Sequence, residues 1–378
     1  MQVAIVHDWL TNMGGAEKVV ELIHSLFPDA PVYTLLYEQN NMPEDFARMD
    51  IRTSYLQRIP FARRRHQWLL PFMPAAIEAM DLREYGLVIS SSTSCAKGVL
   101  TRADCCHISY CNTPMRYAWD FYQDYIGDKP WPLRNYIRRQ LHWIRMWDRL
   151  SADRVDYFIA NSRNVKNRIY KHYLREAEVI YPPVDTDYFV PGEAKAGKYF
   201  LCAGRLVGYK RVDLAVQVCS EMGLPLIVAG DGGELKRLKS MAGSTVEFRG
   251  RVSDDELLKL YQDCRAFIFP GEEDFGITPL EAQACGRPVI AFGRGGTLET
   301  VVDGQTGLFF DQQDTESLKF ALKRFIDCEA TFDPKVIRQQ AEGFSVDRFL
   351  REFGSAVNER YKEFEEEQKY FASDHDDK

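Results

Sequence analysis

The 378-residue chain is 45% hydrophobic and 27% charged and carries a formal net charge of −7. That length exceeds what one hydrophobic core usually supports, so two domains are expected, and the acidic balance excludes a general nucleic-acid binder, which shows a basic excess. The first residues are too short for a secretory segment and no later apolar run reaches bilayer-spanning length, so a cytoplasmic protein is expected.

Residues 3–6 read as a buried strand, and the loop after it, His7-Asp-Trp-Leu-Thr-Asn-Met-Gly14-Gly15, runs into a helix. Glycines there let a backbone approach a ligand, and a helix start favours a phosphate or carboxylate; a tight turn needs the same letters. The loop is neither the G-x-G-x-x-G fingerprint nor a Walker loop, which weakens NAD binding and ATP hydrolysis. Arg58, Arg63, Arg64 and Arg65 then lie among Trp68, Leu69, Leu70, Phe72 and Met73. A second stretch sets Arg134, Arg138, Arg139 and Arg145 among Trp131, Tyr136, Trp143 and Trp147. Interleaved basic and aromatic residues suit the headgroup zone of an anionic membrane, at its inner face, and solvated helices with buried aromatic stripes explain the same letters. Apolar strand runs also occupy 87–90, 107–110 and 157–160. Cys105, Cys106, His107 and Cys111 fall on an apolar strand pattern whose alternation sends neighbours to opposite faces, so core packing is expected rather than a metal site. The nine cysteines, without paired spacing, fit a reducing compartment.

Prolines at 182, 183 and 191 interrupt local structure, and a boundary near 185–197 follows. Strand runs resume at 199–203, 226–229, 246–248, 266–269 and 289–291, again spaced by helical segments. Strands apolar throughout and separated by helices belong to parallel sheets covered on both faces. The predicted fold is therefore α/β, two doubly wound Rossmann-like domains (1–185 and 186–350) facing across a cleft. A helix at 351–371 is expected to pack back toward the first domain, and 372–378 is expected to fray as a polar tail.

Ligands of such sheets bind at the carboxyl ends of the strands, so the loops there carry the functional reading. After 199–203 comes Gly204-Arg205-Leu-Val-Gly-Tyr-Lys210, whose two cations could straddle a pyrophosphate; solvated surface charge is the plainer alternative. Gly230-Asp-Gly232-Gly233-Glu234 reads as a turn plus a helix start, and backbone groups at Gly250-Arg251-Val252 could read the edge of a base. After the run 266–270 comes Glu273-Asp-Phe275-Gly276-Ile277-Thr278-Pro279-Leu-Glu281. It predicts a helix with Thr278 as N-cap, Pro279 at the first helical position and Gly286 as terminator. Carboxylates on either side of that start could grip sugar hydroxyls while the N–H groups of Ile277 and Thr278 hold phosphate oxygens; equally, Thr278 and Glu281 spell a capping box. The glycines of 293–296 suit a loop that must shift on closure.

These stretches, with Pro114-Met-Arg116-Tyr-Ala-Trp-Asp120, Asn161-Ser162-Arg163 and Tyr181-Pro-Pro-Val-Asp185, resemble in order the family 4 retaining glycosyltransferases of the GT-B fold, from residue 1 to about 350. The His7-Asp8-Trp-Leu opening and the 114–120 string are most similar to mannosyltransferases that build bacterial surface polysaccharides. The resemblance implies a donor site in which Arg205 and Lys210 bind the pyrophosphate with the N–H groups of Ile277 and Thr278, beside Phe275 and Gly276. It implies that Glu281 holds the ribose, Arg251 and Val252 flank the base, Glu273 sits by the transferred sugar, and Gly14-Gly15 approaches the phosphates. Asp8, Asn112 and Arg116 would lie on the acceptor side. It further implies no cofactor and no metal, with Arg205 and Lys210 stabilising the departing diphosphate and no carboxylate acting as nucleophile. One position departs from the pattern: Asn112 stands where related enzymes usually carry a histidine, and an amide cannot titrate near neutral pH. Asn112 is expected to keep donor binding and lower turnover.

The expected activity is transfer of a hexose, mannose from GDP-mannose, with retention, to a lipid-linked saccharide in surface polysaccharide synthesis. A UDP-sugar donor on the same fold is one alternative, because the motifs say little about the base; a sugar-nucleotide-binding subunit without catalysis is another.

Overall fold

The computed structural model describes residues 2–60, 66–127, 130–192 and 197–376; Arg63, Arg64 and Arg65 of the first basic stretch lie outside the described residues. The chain divides into two compact units, Met1–Ile180 with Leu350–Lys378, and Tyr181–Phe349. Each is an α/β unit built on one parallel, Rossmann-like sheet.

In the first unit, β1 (Val3–His7), β2 (Val32–Thr34), β3 (Ile51–Thr53), β4 (Leu87–Ser92), β5 (Cys106–Cys111), β6 (Tyr157–Ala160) and β7 (Ala177–Val179) pair in the order β3-β2-β1-β4-β5-β6-β7. β4 and β5 are buried at every position, as expected for strands covered on both faces. β1 and β4 are neighbours although the chain visits β2 and β3 between them, so the connections leave β1 and β4 in opposite directions and open a crevice at their carboxyl ends.

That crevice is closed by Asp8. Its buried carboxylate accepts four backbone hydrogen bonds from the loop after β4: Oδ2 from the N–H groups of Thr93 at 2.6 Å and Ser94 at 2.8 Å, and Oδ1 from Cys95 at 2.6 Å and Ala96 at 2.7 Å. The acceptor-side role expected of Asp8 is thereby corrected, because its oxygens are spent inside the fold. The next residue of that loop, Lys97, is also buried and pairs with Asp148 on the helix Trp131–Ser151. The second oxygen of Asp148 takes the indole N–H of Trp119 at 2.7 Å and the hydroxyl of Tyr173 at 2.9 Å.

In the second unit, β8 (Tyr199–Ala203), β9 (Leu226–Ala229), β10 (Val246–Gly250), β11 (Cys264–Phe269), β12 (Val289–Phe292) and β13 (Gly307–Phe310) pair in the order β10-β9-β8-β11-β12-β13. Period-two alternation sends Phe200, Val228, Ile268 and Ile290 into one core and Leu201, Ile227, Phe267 and Ala291 into the other. The crossover crevice lies here between β8 and β11. The stretch where the boundary was expected, near 185–197, is packed into this unit as far as it is described. Val184 N–H donates to Phe344 O at 2.8 Å, Phe189 is buried, and Arg338 donates to the carbonyls of Thr186 at 3.0 Å and Phe189 at 3.1 Å. The division of the chain falls at Ile180, because the prolines that stop a helix do not stop packing. The last helix runs Val346–Asp376, beginning before 351 and taking in residues 372–376, which were expected as tail.

Cys105, Cys106 and Cys111 are buried in the first unit, and among the described residues no His, Cys, Asp and Glu group could hold a metal. His107 is a core residue whose Nδ1 donates to Arg154 O at 3.3 Å while Nε2 accepts from Ser90 Oγ at 2.9 Å, the neutral tautomer. Burial pushes its pKa down to about 4.

Two outcomes are expected. Asp8→Ala leaves four N–H groups, three of them on buried residues, without an acceptor and is expected to destabilise the fold by about 3 kcal/mol or more, read as a lower urea midpoint. Between the ordinary histidine value and about 4, an unfolded chain holds a proton that folded His107 lacks, so stability falls on acidification. From pH 6.5 to pH 5 this residue is expected to cost about 2 kcal/mol, and His107→Gln should flatten that part of the urea-midpoint profile.

Candidate functional site

The loops after β8 and β11 meet at the second crevice. From the first comes Lys210, in the short turn Gly208–Lys210, and from the second comes Glu273; Lys210 Nζ lies 2.7 Å from Glu273 Oε1. Both side chains are mostly buried, so the pair is poorly screened. Burial alone would lower the lysine pKa, but the adjacent carboxylate outweighs it and the ammonium form is held above its ordinary range. Arg205 is exposed on the loop after β8, with one guanidinium N–H on Tyr209 Oη at 3.3 Å, and no carboxylate pairs with it among the described residues. One cation is therefore pre-paired and one is available to an anion.

The helix after Glu273 spans Ile277–Ala284, and its N-cap is Gly276 rather than Thr278. Gly276 sits at φ 85, where only glycine rests without strain, so the helix starts two residues earlier than the Thr-Pro signal predicts. Ile277 and Thr278 are then its first two residues, and their N–H groups are among those a helix start leaves unpaired. The Thr278 hydroxyl is also buried, with no hydrogen-bond partner among the described residues. Glu281 falls in the second turn, too far along for a capping box. Its Oε2 accepts from the buried Tyr261 hydroxyl at 2.9 Å, which fixes the carboxylate's direction. The Phe275 side chain is buried and stacks on Tyr181 at 5.6 Å, which leaves its backbone to the loop. Gly296 donates its N–H to Glu273 O at 2.9 Å, and a Cβ at 296 would come within 2.2 Å of Phe275 Cα. That glycine serves close packing of two loops. Arg251 is exposed just past β10, with Val252 partly packed on the core.

At the carboxyl edge of the first sheet, His7, Ser91, Asn112 and Asn161 form a polar row across β1, β4, β5 and β6. His7 Nδ1 donates to Ser91 O at 3.0 Å, Asn112 Nδ2 donates to Ser91 Oγ at 3.1 Å, and Asn161 Nδ2 donates to Asn112 O at 2.9 Å. Gly14 caps the helix Gly15–Leu26, and Glu17 in its first turn folds back so that Oε1 is 3.6 Å from His7 Nε2. Burial alone would lower the pKa of His7, yet Glu17, with Asp8, raises it above the ordinary value. The His7–Glu17 couple escapes sequence reading. The only trace of it is an acidic residue two positions after the glycine pair, and nothing in the letters says that it turns back to β1. Arg116 lies partly buried with its guanidinium 4.0 Å from the Phe121 ring centre.

The second basic stretch lies on the helix Trp131–Ser151, which carries five arginines against the single buried Asp148. Trp131, Tyr136, Trp143, Arg138 and Arg139 are exposed, whereas Arg145 donates to Ala118 O at 2.6 Å and Trp147 to Glu78 Oε1 at 2.7 Å. The stretch thus divides into an inward and an outward set. Among the described residues no helix is long and apolar enough to cross a membrane.

Two family models match successive stretches of the chain, "Glycosyltransferase Family 4" over residues 13–188 and "Glycosyl transferases group 1" over residues 184–343. An uncharacterized glycosyltransferase of Methanocaldococcus jannaschii is 28% identical over 191 residues, 49% of this chain and 54% of that protein. A D-inositol 3-phosphate glycosyltransferase of Mycobacteroides abscessus is 27% identical over 263 residues, 61% of this chain and 57% of that protein. The matches thus span little more than half the length of these relatives. Among solved structures, sucrose-phosphate synthase from Thermosynechococcus elongatus superimposes with a TM-score of 0.76 at 17% identity, covering 96% of this chain and 100% of that one. HepE of Anabaena, solved with UDP and glucose, gives 0.72 at 16% identity, covering 95% and 99%. At these identities the likeness speaks for the fold, and it agrees with the two sheets described above. Taken together, the two models run over residues 13–343, so the chain carries a region similar to each of these glycosyltransferase families on two Rossmann-like sheets of the GT-B kind.

Proposed function

We infer that this chain transfers a hexose from a nucleoside diphosphate sugar to a saccharide acceptor with retention of configuration. The observation that carries the reading is the Lys210–Glu273 pair at the β8/β11 crevice, beside the helix start at Ile277 and with no carboxylate among the described residues paired to Arg205. A diphosphate entering there meets Arg205 first and competes with Glu273 for Lys210. As the glycosidic bond breaks, negative charge grows on the departing phosphate and the two cations stabilise it most in that state. Each charge-assisted hydrogen bond contributes about 1.5–3 kcal/mol. Glu273, released from Lys210, is placed for a sugar hydroxyl, and Glu281 for the ribose. On this reading attack comes from the face the phosphate leaves, and the phosphate takes the acceptor's proton.

The form favoured by the sequence motifs is mannose from GDP-mannose, passed to a lipid-linked saccharide of bacterial surface polysaccharide. The exposed Trp131, Tyr136, Trp143, Arg138 and Arg139 support a peripheral anionic-membrane partner, with the aromatic rings at headgroup depth. A second reading, a UDP-sugar donor, is favoured by the UDP and UDP-glucose complexes of HepE.

Thermal shifts of the whole chain with GDP and with UDP are expected to favour GDP; a larger shift with UDP would move the donor to the second reading. Arg205→Ala and Lys210→Ala are each expected to weaken the preferred diphosphate at least about tenfold and to slow its release from the sugar nucleotide further, and unchanged affinity and turnover in the double variant would overturn the assignment. In co-sedimentation, vesicles of phosphatidylglycerol should retain the chain and those of phosphatidylcholine should not. Reversing Arg138 and Arg139 to glutamate is expected to cut retention by about tenfold or more, and equal binding to both lipids would count against the membrane partner.

A further inference from the structure

Glu281 is held from behind by a residue outside the 273–281 stretch. Tyr261 lies in the last turn of the helix Asp254–Asp263, which precedes β11 in the chain whereas Glu281 follows it, and its hydroxyl donates to Glu281 Oε2 at 2.9 Å. The Tyr261 ring is fully buried, with Phe267 edge-on at 5.5 Å and Phe189 edge-on at 5.8 Å, in the same core as Leu280 and Ala284. A phenylalanine would make every one of those apolar contacts. The hydroxyl adds the burial of a polar group, which is unfavourable unless a partner takes it, and the partner it has is one carboxylate oxygen of Glu281. Burial and the neighbouring carboxylate push the Tyr261 pKa well up, so the phenol keeps its proton and acts as the donor.

Glu281 itself is partly exposed, one turn after the helix start at Ile277, where the donor reading sets the ribose. An unanchored glutamate side chain spreads over several rotamers, and ordering it when a ligand arrives takes away affinity. With Oε2 tied to a rigid, close-packed ring, that ordering is done in the fold. An ionised carboxylate has acceptors only, so a fixed one selects a ligand that brings O–H donors and rejects one that has lost them. We propose that Tyr261 is a positioning residue for nucleotide recognition, which holds Glu281 in one orientation from inside the core and thereby sets the discrimination between a ribose and a deoxyribose in the donor. The inference rests on the nucleoside diphosphate sugar reading with Glu281 as its ribose contact, and adds to it the buried residue on which the selectivity of that contact depends.

Calorimetric titration of the whole chain with GDP and UDP, and with the 2′-deoxy and 3′-deoxy forms of the tighter binder, measures that discrimination. The native chain is expected to bind the ribonucleotide about tenfold or more tightly than at least one deoxy form, and Tyr261→Phe to reduce the ratio to about threefold or less. Loss of packing or stability weakens all the nucleotides alike and leaves the ratio unmoved, which tells a structural role from a positioning one. In the Glu281→Ala background, where the carboxylate is gone, Tyr261→Phe is expected to change the ratio no further. A Tyr261→Phe variant that keeps the native ratio overturns the positioning role, as does a further change in the Glu281→Ala background or a native chain that binds ribose and deoxyribose forms equally; in each case the donor reading stands. A native chain that binds neither GDP nor UDP sinks the donor reading and the role of Tyr261 with it. The native-chain results need no variant to fold.

Discussion

Both sheets place first and fourth strands side by side in order of visit, and the chain must leave them in opposite directions. Every functional feature of the protein grows out of that constraint. Backbone that diverges at a crossover cannot pair with itself, so something else must satisfy the polar groups of the two loops or leave them for a ligand. In the first unit the solution is internal: Asp8 takes the four N–H groups that the loop after β4 presents. In the second it is a single ion pair, Lys210 with Glu273, flanked by a helix start and by Arg205.

The difference decides what each crevice can do. Four short hydrogen bonds to a buried carboxylate form a closed set, in which any entering anion would have to displace charge at the cost of desolvating it. An ion pair in which both partners keep some exposure is open to exchange, and on the proposed reading a diphosphate would offer Lys210 a second anion while a sugar hydroxyl would offer Glu273 a donor. One sheet pattern repeated in one chain thus has its crossover closed by a buried carboxylate in one half and held by a partly exposed ion pair in the other.

The buried polar groups of the first unit form a second tier of the same logic. Lys97 and Asp148, both almost without exposure, are joined by Trp119 and Tyr173, so the loop held by Asp8 is also tied to the helix that displays the exposed arginines and aromatics. Removing either partner would strand a buried charge, which is why such networks specify a single arrangement of the elements they join. The surface aromatics can be spared from the core because this network and the apolar positions Leu141 and Ile144 anchor the helix.

The sequence by itself determined the two α/β halves, the strands with both faces apolar, and the loops that carry Arg205, Lys210, Glu273 and Glu281, because apolar runs and strand-end glycines are local signals written in consecutive letters. It placed the helix start two residues late, since Thr-Pro is a cap signal that the left-handed Gly276 overrides, and the resemblance set Asp8 on the acceptor side because a carboxylate beside a motif looks available until its neighbours are known. It set a boundary near 185–197, though Thr186 and Phe189 accept hydrogen bonds from Arg338 inside the second unit. Only the tertiary structure decided that Asp8 is spent on residues 93–96, that Glu17 turns back to His7, and that Lys210 reaches Glu273 across 63 positions of chain. Those contacts join residues far apart in sequence through strands that neighbour only in space, and hydrogen bonds and charge act over ångströms rather than along the chain.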